Sequence, residues 1–292
     1  MENFRSGFIA LVGKPNAGKS TLLNSLVRQK VSIVSPKPQT TRNKILGIWT
    51  QDDCQMVFVD MPGIIKPKNT LGKYMEKSID SGVRDVDCVV FVTDGHKGIS
   101  DDDVALMTRY SAGGAPMVVV VTKTDICQPE TLMTQLSKLN GLPFVGEVYC
   151  VSAKRNKNID MLKDGLKKYL KDDVKYFDDD DVTDKSQRFL AAEIIREKIL
   201  LLCDDEIPHG VGVTINKMTY DKVKKMWDID ANIIVEKASH KPIIIGKQGR
   251  MLKQIGSYAR EGLEKMLQAK VYLALWIKIK EDWRNSDFML KE

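Results

Sequence analysis

The stretch that decides the fold is Gly13–Ser20, which reads Gly-Lys-Pro-Asn-Ala-Gly-Lys-Ser. It matches the pattern G-x-x-x-x-G-K-[ST] of a phosphate-binding loop. The apolar run Phe8–Val12 precedes it, and a stretch with helical potential begins at Lys19, so the loop joins a buried strand to a helix. An ordinary glycine turn is the alternative, and the strand–loop–helix context argues against it. The chain is therefore expected to bind nucleotide phosphates.

The residue types in this loop suit phosphate chemistry. Glycines let backbone N–H groups curl around the phosphates, and the start of the helix adds a favourable field. Lys19 is predicted to supply positive charge to the β- and γ-phosphates, and Ser20 a hydroxyl to Mg²⁺. The loop residues expected to contact nucleotide are Asn16, Ala17, Gly18, Lys19, Ser20 and Thr21. Because ATPases and kinases carry the same loop, it does not select the base.

Short valine-rich apolar runs alternate with helix-like stretches from the loop to about Leu170. Such runs are typical of strands buried on both faces, and their alternation with helices predicts an α/β fold with a mostly parallel sheet. A further strand, Ile45–Thr50, is expected to form an antiparallel hairpin with Gln55–Val59 at one edge. The other predicted strands are Phe8–Val12, Cys88–Val92, Met117–Val121 and Glu147–Val151.

Three more motifs end predicted strands, where ligands of open α/β sheets bind. In Asp60-Met61-Pro62-Gly63, the Asp60 carboxylate can hold Mg²⁺ through water, and Gly63 can offer a backbone N–H to the γ-phosphate. In Thr122–Asp125, the carboxylate of Asp125 can accept two hydrogen bonds from guanine, and the stem of Lys123 can lie along the purine. A backbone N–H within Ser152-Ala153-Lys154 can meet guanine O6. Together these motifs predict a guanine nucleotide.

With these motifs, residues 5 to 170 resemble a translation-factor-type GTPase with a phosphate-binding loop. Pro38–Arg42 is similar to the mobile first switch of such proteins, in which a threonine ligates Mg²⁺, and alignment favours Thr41 over Thr40. The resemblance implies GTP and GDP as ligands, with Lys19, Thr41 and Gly63 serving hydrolysis. Taken alone, the switch-like segment would also suit a polar loop between a helix and a strand.

Two positions depart from the family pattern. Thr122 stands where the base-recognition motif usually begins with asparagine, so affinity can suffer while guanine preference, carried by Asp125, survives. Ile64 stands where small signalling GTPases place a water-orienting glutamine, so slow turnover without a partner is expected. Asn16 matches a position that holds K⁺ in related bacterial GTPases with the same loop, which suggests cation-assisted hydrolysis.

The chain changes character after Leu170. Residues 171–185 carry the acidic run Asp178–Asp181 and little apolar periodicity, which predicts a solvated linker. We expect a GTPase domain over 1–172, a linker over 173–185 and a second domain over 186–292. The pattern of the last region is helix, strand, strand, glycine-containing turn, helix, strand, which predicts a small α+β domain with a three-stranded sheet.

The turn of this second domain contains an apolar–Gly-x-x-Gly signature. It resembles the loop of a type II-like KH domain, which clamps nucleic-acid backbone. A tight helix–helix turn is the default explanation of the two glycines, but the isoleucines and basic residues around them favour RNA. The expected RNA-binding residues are Ile244, Ile245, Gly246, Lys247, Gln248, Gly249, Arg250 and Lys253, with Ile244 and Ile245 flooring the groove.

A GTPase followed by this KH variant closely resembles the Era family of bacterial ribosome-assembly GTPases over nearly the whole chain. The resemblance implies binding to small-subunit ribosomal RNA near its 3′ end, with no DNA partner, and assistance in assembling the small ribosomal subunit. It also implies a monomer in the cytoplasm, with peripheral attachment to the inner face of the cell membrane in some members. The residues themselves give no independent sign of membrane attachment.

Composition agrees with this interpretation and leaves rivals open. The 292 residues carry a net charge of +6, which permits an anionic partner without requiring one. Five dispersed cysteines signal neither a zinc site nor disulfides, no apolar run approaches the roughly 20 residues of a membrane span, and no signal peptide is evident. The rivals are a non-hydrolysing scaffold that uses GTP only to fold, an ATPase or kinase, and a KH-like unit that binds protein.

Overall fold

The computed structural model describes residues 4–64, 70–83, 85–204 and 210–283, which divide into two compact units. The first unit contains residues 4–32, 41–64, 72–83 and 85–184. The second contains residues 33–40, 70–71, 185–204 and 210–283. Among the described residues, no helix combines the length and the apolar character needed to cross a bilayer.

The first unit is an α/β sandwich around a six-stranded sheet. Its strands are β1 (Arg5–Val12), β2 (Ile45–Thr50), β3 (Cys54–Asp60), β4 (Cys88–Asp94), β5 (Met117–Thr122) and β6 (Val145–Cys150). The order across the sheet is β2-β3-β1-β4-β5-β6. Among the strand pairs of the described residues, β2 pairs antiparallel with β3, and the other pairs are parallel. The predicted fold class and the edge hairpin are confirmed.

The helices of the first unit pack against this sheet. They are α1 (Lys19–Val27), α2 (Thr70–Val83), α3 (Asp101–Ser111), α4 (Pro129–Asn140) and α5 (Ile159–Lys167). Every residue of β3, β4 and β5 is buried, as expected for central strands covered on both faces. The start of α3 is set by a capping box, in which the Ser100 and Asp103 side chains each accept from the other's backbone N–H.

Residues 173–184, for which the sequence predicts a solvated linker, lie along this first unit. The Gln55 side chain accepts from the backbone N–H groups of Tyr176 and Phe177 at 2.9 and 3.0 Å. The N–H of Ile48, on the edge strand β2, donates to Val182 O at 2.9 Å. Unpaired N–H groups of an edge strand need partners, and this polar segment supplies one. Its lack of apolar periodicity is consistent with an extended strap.

The second unit is a three-stranded sheet with helices on one face. Its elements are α6 (Gln187–Leu202), β7 (Val211–Asp221), β8 (Met226–Val235), α7 (His240–Ile245), α8 (Arg250–Leu267) and β9 (Lys270–Ile279). Strand β8 pairs antiparallel with β7 and parallel with β9. One core joins Ile195 of α6 and Ile255 of α8 to the sheet. The six-residue helix α7 is an addition to the predicted pattern.

Candidate functional site

The predicted nucleotide residues gather at the carboxyl edge of the parallel strands. These residues are Asn16, Ala17, Gly18, Lys19, Ser20, Thr21, Thr41, Asp60, Gly63, Thr122, Lys123, Asp125, Ser152, Ala153 and Lys154. All belong to the first unit. Parallel strands bring their carboxyl ends to one edge, so motifs more than a hundred residues apart in the chain come together there.

The phosphate-binding loop holds a buried ammonium group at its centre. Lys19 Nζ donates to Gly13 O at 2.9 Å and to Lys14 O at 3.0 Å, and the residue is only 6% exposed. Burial lowers the pKa of Lys19 to about 8, against the raising effect of the nearby Asp60 carboxylate. A cation that has lost most of its hydration, and whose hydrogen bonds within the described part of the chain go to backbone carbonyls, is well placed to receive phosphate oxygens.

Next to this ammonium group lies a corner of hydroxyl and carboxylate oxygens. Ser20 Oγ donates to Asp60 Oδ2 at 2.7 Å and lies 2.8 Å from Thr41 Oγ1. Ser32 Oγ also donates to Asp60 Oδ2, at 3.0 Å. Burial raises the pKa of Asp60, which is fully buried, and its Oδ1 has no hydrogen-bond partner among the described residues. Such an oxygen-rich site with an unsatisfied carboxylate oxygen fits Mg²⁺, a hard cation that prefers oxygen ligands and binds together with nucleotide phosphates.

The two threonines of the first switch have different surroundings. Thr41 contributes its hydroxyl to the oxygen corner beside Ser20. The Thr40 hydroxyl instead donates to Lys37 O at 2.6 Å and lies 2.7 Å from Ser35 Oγ, within its own loop. This geometry supports the prediction that Thr41, and not Thr40, serves as the Mg²⁺ ligand.

Replacing Thr41 should therefore harm hydrolysis through the metal. We expect Thr41→Ala to lower GTP turnover at limiting Mg²⁺ by about 10-fold or more, because one ligand oxygen is lost. Thr41→Ser keeps the hydroxyl and should retain most activity, and Thr40→Ala should shift the Mg²⁺ dependence much less. Turnover measured across a Mg²⁺ titration checks this, and a larger shift for Thr40→Ala than for Thr41→Ala would reverse the assignment.

The second switch begins with a glycine pressed against the phosphate-binding loop. A Cβ atom added at Gly63 would lie 2.8 Å from Pro15 Cα, so no side chain fits there without moving the backbone. The N–H of the next residue, Ile64, donates to Gly13 O at 3.3 Å. The side chain of Ile64 has no polar group that could orient a water molecule, and it packs against the apolar core. The Gly63 backbone is close enough to the loop for its predicted role toward the γ-phosphate.

The base-recognition residues converge from two strand ends. Asp125 Oδ1 accepts from Ser152 Oγ at 2.6 Å, and this hydrogen bond lowers the pKa of Asp125. Asp125 remains exposed, so its carboxylate is ionised and accessible to a base. Ser152 Oγ in turn accepts the N–H of Arg155 at 3.2 Å, which orders the turn containing Ala153 and Lys154. The pairing of these two motifs, predicted separately, is direct in the structure.

Thr122 joins the base-recognition strand to the phosphate-binding loop. Its hydroxyl lies 2.6 Å from Ala17 O and 3.0 Å from Thr93 O, and it donates to these carbonyls. A Cβ atom at Gly18 would meet Thr122 Oγ1 at 3.2 Å, so the loop passes close over this residue. The expectation that a hydroxyl can replace some bonds of the usual asparagine is thus supported by a concrete contact.

Sequence reasoning missed residues that support the site from behind. Lys123 Nζ donates to Asn16 O at 2.8 Å and to Asp94 Oδ2 at 2.6 Å, and Asp94 is nearly buried at the end of β4. Asn24 Oδ1 accepts the N–H of Ser32 at 2.9 Å and thereby holds the serine that bonds Asp60. For Asp94, the sequence signal was its position at a predicted strand end next to a glycine. Asn24 lies within a helix, and no sequence pattern pointed to its supporting role.

The Gly-x-x-Gly loop of the second unit lies between α7 and α8. Gly246 and Gly249 have φ values of +72° and +74°, and a Cβ atom at Gly246 would meet Met251 Cβ at 2.7 Å. The helix that follows has no side-chain cap at its start, so its first N–H groups can face an anion. The side chains exposed at the loop and in the first turn are Lys247, Gln248, Arg250 and Lys253.

One residue of the predicted RNA-binding set is corrected. Ile244 is completely buried in the core of the second unit, so its side chain cannot floor an open groove. Residues 243–245 lie on the short helix α7, whose turn points Ile244 inward and leaves Ile243 half exposed. Ile245 is partly exposed and remains available. The helical geometry of α7 decides which of the three isoleucines is accessible.

Models of two known protein families match the chain, one in each unit. The family model described as "50S ribosome-binding GTPase" matches residues 8–123, and the model described as "KH domain" matches residues 206–284. A GTPase Era of Clostridium kluyveri is 46% identical over 288 residues, which cover 99% of this chain and 98% of that protein. A GTPase Era of Clostridium tetani is 45% identical over 290 residues, covering 99% and 98% respectively.

Two solved structures resemble the whole chain. A variant Era of Aquifex aeolicus bound to GDP and AlF4⁻ is 37% identical, with a TM-score of 0.94 over 99% of this chain and 98% of that one. An Era in complex with MgGDPNP and nucleotides 1506–1542 of 16S ribosomal RNA is also 37% identical, with a TM-score of 0.93 and the same coverage.

Proposed function

The chain belongs to the Era family of GTPases, and from this premise we propose that its GTPase cycle regulates RNA binding by the KH domain. The RNA we propose is the 3′-end region of small-subunit ribosomal RNA, and the task is assembly of the small ribosomal subunit in the cytoplasm. The observation that carries this proposal is the relative that holds MgGDPNP and nucleotides 1506–1542 of 16S ribosomal RNA in a closely similar structure.

Hydrolysis of GTP follows from the side chains around the loop. Water attacks the γ-phosphate, and negative charge spreads over the oxygens of the transferring group. Lys19, released from Gly13 O and Lys14 O, can donate to those oxygens, and the N–H of Gly63, whose backbone lies against Pro15 of the loop, can donate as well. Ser20, Thr41 and Asp60, the last through water, would hold Mg²⁺, which neutralises phosphate charge when bound.

We further propose that K⁺ assists this hydrolysis, because no glutamine follows Gly63 to orient the water. Asn16, the proposed K⁺ ligand, is exposed in the left-handed region with φ of +62°, and its carbonyl accepts from Lys123. Turnover should be several-fold faster in K⁺ than in Na⁺ at equal ionic strength, and Asn16→Ala should abolish that difference. Equal turnover of the unaltered protein in the two salts would end this part of the proposal.

RNA binding is proposed for the loop between α7 and α8. Its glycines permit close approach of the phosphates, and Lys247 and Arg250 place two exposed positive charges beside them. Such loops clamp about four nucleotides of single-stranded backbone. A unit that binds protein, which is the alternative, would not require positive charge to be concentrated around a loop of two glycines with positive φ.

Reversing the charge of this loop should weaken RNA binding. We expect Lys247→Glu with Arg250→Glu to reduce affinity for the 3′-end RNA by about 10²-fold or more and to flatten its salt dependence, because two phosphate contacts become repulsive. The matched control is Arg260→Glu with Lys265→Glu, which reverses one arginine and one lysine exposed on later turns of α8, away from the loop. Filter binding across a salt series measures both, and equal losses for the two pairs would contradict a specific role for the loop.

A further inference from the structure

The sheet of the second unit has one face that no helix covers among the described residues. Along β9, Val271, Leu273, Leu275 and Ile277 pack into the core against the helices. The intervening residues point to the opposite face, because side chains alternate along a strand. These residues, which we call the β9 stripe, are Lys270, Tyr272, Ala274, Trp276 and Lys278.

The β9 stripe exposes two large aromatic rings. Tyr272 is 60% exposed and Trp276 is 59% exposed, although large aromatic side chains are usually mostly buried. Neighbouring exposed apolar side chains of this size can mark a binding site. They stand four residues apart on the strand, which places them about 13 Å from each other with the small Ala274 between them. The stripe thus offers two separate aromatic platforms, with a small side chain between them.

The tryptophan is held in place by a chain of hydrogen bonds across the sheet. Trp276 Nε1 donates to Asp230 Oδ2 at 3.0 Å, and Asn216 Nδ2 donates to Asp230 Oδ1 at 2.6 Å. Asn232 Nδ2 donates to Asn216 Oδ1 at 2.5 Å. Asn232 lies opposite Trp276 in the register, is 4% exposed, and has an Oδ1 without a partner among the described residues. A fixed ring loses little conformational entropy when a ligand stacks on it.

Charge around the stripe favours an anionic partner. Lys270 and Lys278 flank the two rings on the same strand face, and both are exposed; Lys270 Nζ also lies 3.7 Å from Glu264 Oε2 of α8. Of the acidic residues on the neighbouring strand, Asp228 is paired with Lys217 at 2.5 Å, whereas Asp230 accepts hydrogen bonds from the neutral groups of Trp276 and Asn216 and keeps its charge. The lysines of this face still outnumber its carboxylates. Aromatic rings interleaved with lysines are the combination by which single-stranded nucleic acid is bound, through base stacking and phosphate contacts.

We propose that the β9 stripe is a second RNA-binding surface, where single-stranded bases stack on Tyr272 and Trp276 and lysines contact the phosphates. It is separate from the Gly-x-x-Gly loop, since that loop joins two helices packed on the other face of the sheet. The inference rests on the proposed function, because the stripe adds contacts to the same 3′-end RNA. It predicts a footprint longer than the few nucleotides that the loop alone can hold.

The test measures binding of an RNA fragment equivalent to nucleotides 1506–1542 by four versions of the full chain. Tyr272→Ala with Trp276→Ala should weaken binding by about 10-fold or more per ring, with an unchanged salt slope because no charge is removed. Tyr272→Phe with Trp276→Phe keeps the rings and should stay within about 3-fold of the unaltered protein. The loop pair Lys247→Glu and Arg250→Glu should instead flatten the salt slope.

The outcomes separate the two proposals. If the unaltered protein fails to bind this RNA, the proposed function fails; if it binds and the alanine pair binds equally well, only the β9 stripe is overturned. A photoreactive phenylalanine derivative in place of Tyr272 gives a second reading in cell extract. Crosslinks to ribosomal RNA support the proposal, and crosslinks to protein alone overturn it. Thermal unfolding of each variant confirms that the unit remains folded.

Discussion

Asp125→Asn should convert this GTPase into a protein that prefers xanthine nucleotides. In its predicted role the carboxylate accepts from two N–H groups of guanine, and hydrogen bonds to a charged group are worth about 1.5–3 kcal/mol each. Losing both should weaken GTP binding by about 10²–10⁴-fold. Xanthine carries a carbonyl where guanine carries the exocyclic amine, so the introduced amide can donate to it. The amide oxygen of the variant can still accept from Ser152 Oγ, so the side chain should keep its orientation.

Competition against a fluorescent guanine nucleotide measures this change in preference. GTP, xanthosine triphosphate and ATP compete in turn for the unaltered protein and for Asp125→Asn. Asp179→Asn removes a carboxylate from the exposed segment after α5 and serves as the matched control, with no change expected. If Asp125→Asn keeps the original order of preference, guanine recognition must lie elsewhere. Equal competition by ATP and GTP in the unaltered protein would favour the ATPase or kinase alternative.

Lys19→Met should nearly abolish hydrolysis. Removing a single preorganised donor to a developing charge costs about 10²–10³-fold in kcat, and Lys19 is also expected to contribute to binding GTP in the ground state. Methionine has a similar length, so the buried space around Nζ stays filled. Lys138→Met, on the exposed side of α4, makes the same chemical change away from the site. Single-turnover phosphate release at saturating GTP measures kcat, and retained release in Lys19→Met would exclude the proposed role.

The same lysine predicts a pH dependence of nucleotide binding. Burial lowers the pKa of Lys19 to about 8 in the nucleotide-free protein, and phosphate oxygens beside Nζ must raise it again. The ammonium form is therefore favoured in the complex, so binding takes up protons above pH 8. GTP affinity should fall as pH rises through 8, by up to about 10-fold per pH unit.

Calorimetry in two buffers of different ionisation enthalpy reports this proton uptake directly. At pH 8.5 the unaltered protein should take up a substantial fraction of a proton on binding GTP. The Lys19→Met variant lacks this titrating group, so it should lose this proton uptake on binding GTP. That loss would attribute the uptake to Lys19. A buffer-independent binding enthalpy in the unaltered protein would contradict the depressed pKa.

The elements of both units could be predicted largely from local patterns. Valine-rich runs such as Met117–Val121 identified strands buried on both faces, and the structure extends that strand by only one residue. The last strand of the pattern predicted for the second domain is β9, in which the alternate residues from Val271 to Ile277 pack inward. The helix α7 escaped prediction because its six residues, with a proline and three consecutive isoleucines, are too short to show a helical period.

Short-range motifs were enough to indicate the chemistry of this chain, because phosphate binding and base recognition need particular residue types at short spacings. Tertiary structure alone decided which residues meet through space. It placed Thr41 beside Ser20, tied Lys123 to Asp94, and buried Ile244 away from the loop it precedes. It also left Trp276 on an open face. The physical reason is that local patterns follow backbone periodicity and motif chemistry, whereas hydrogen-bond partners and burial depend on how distant segments pack.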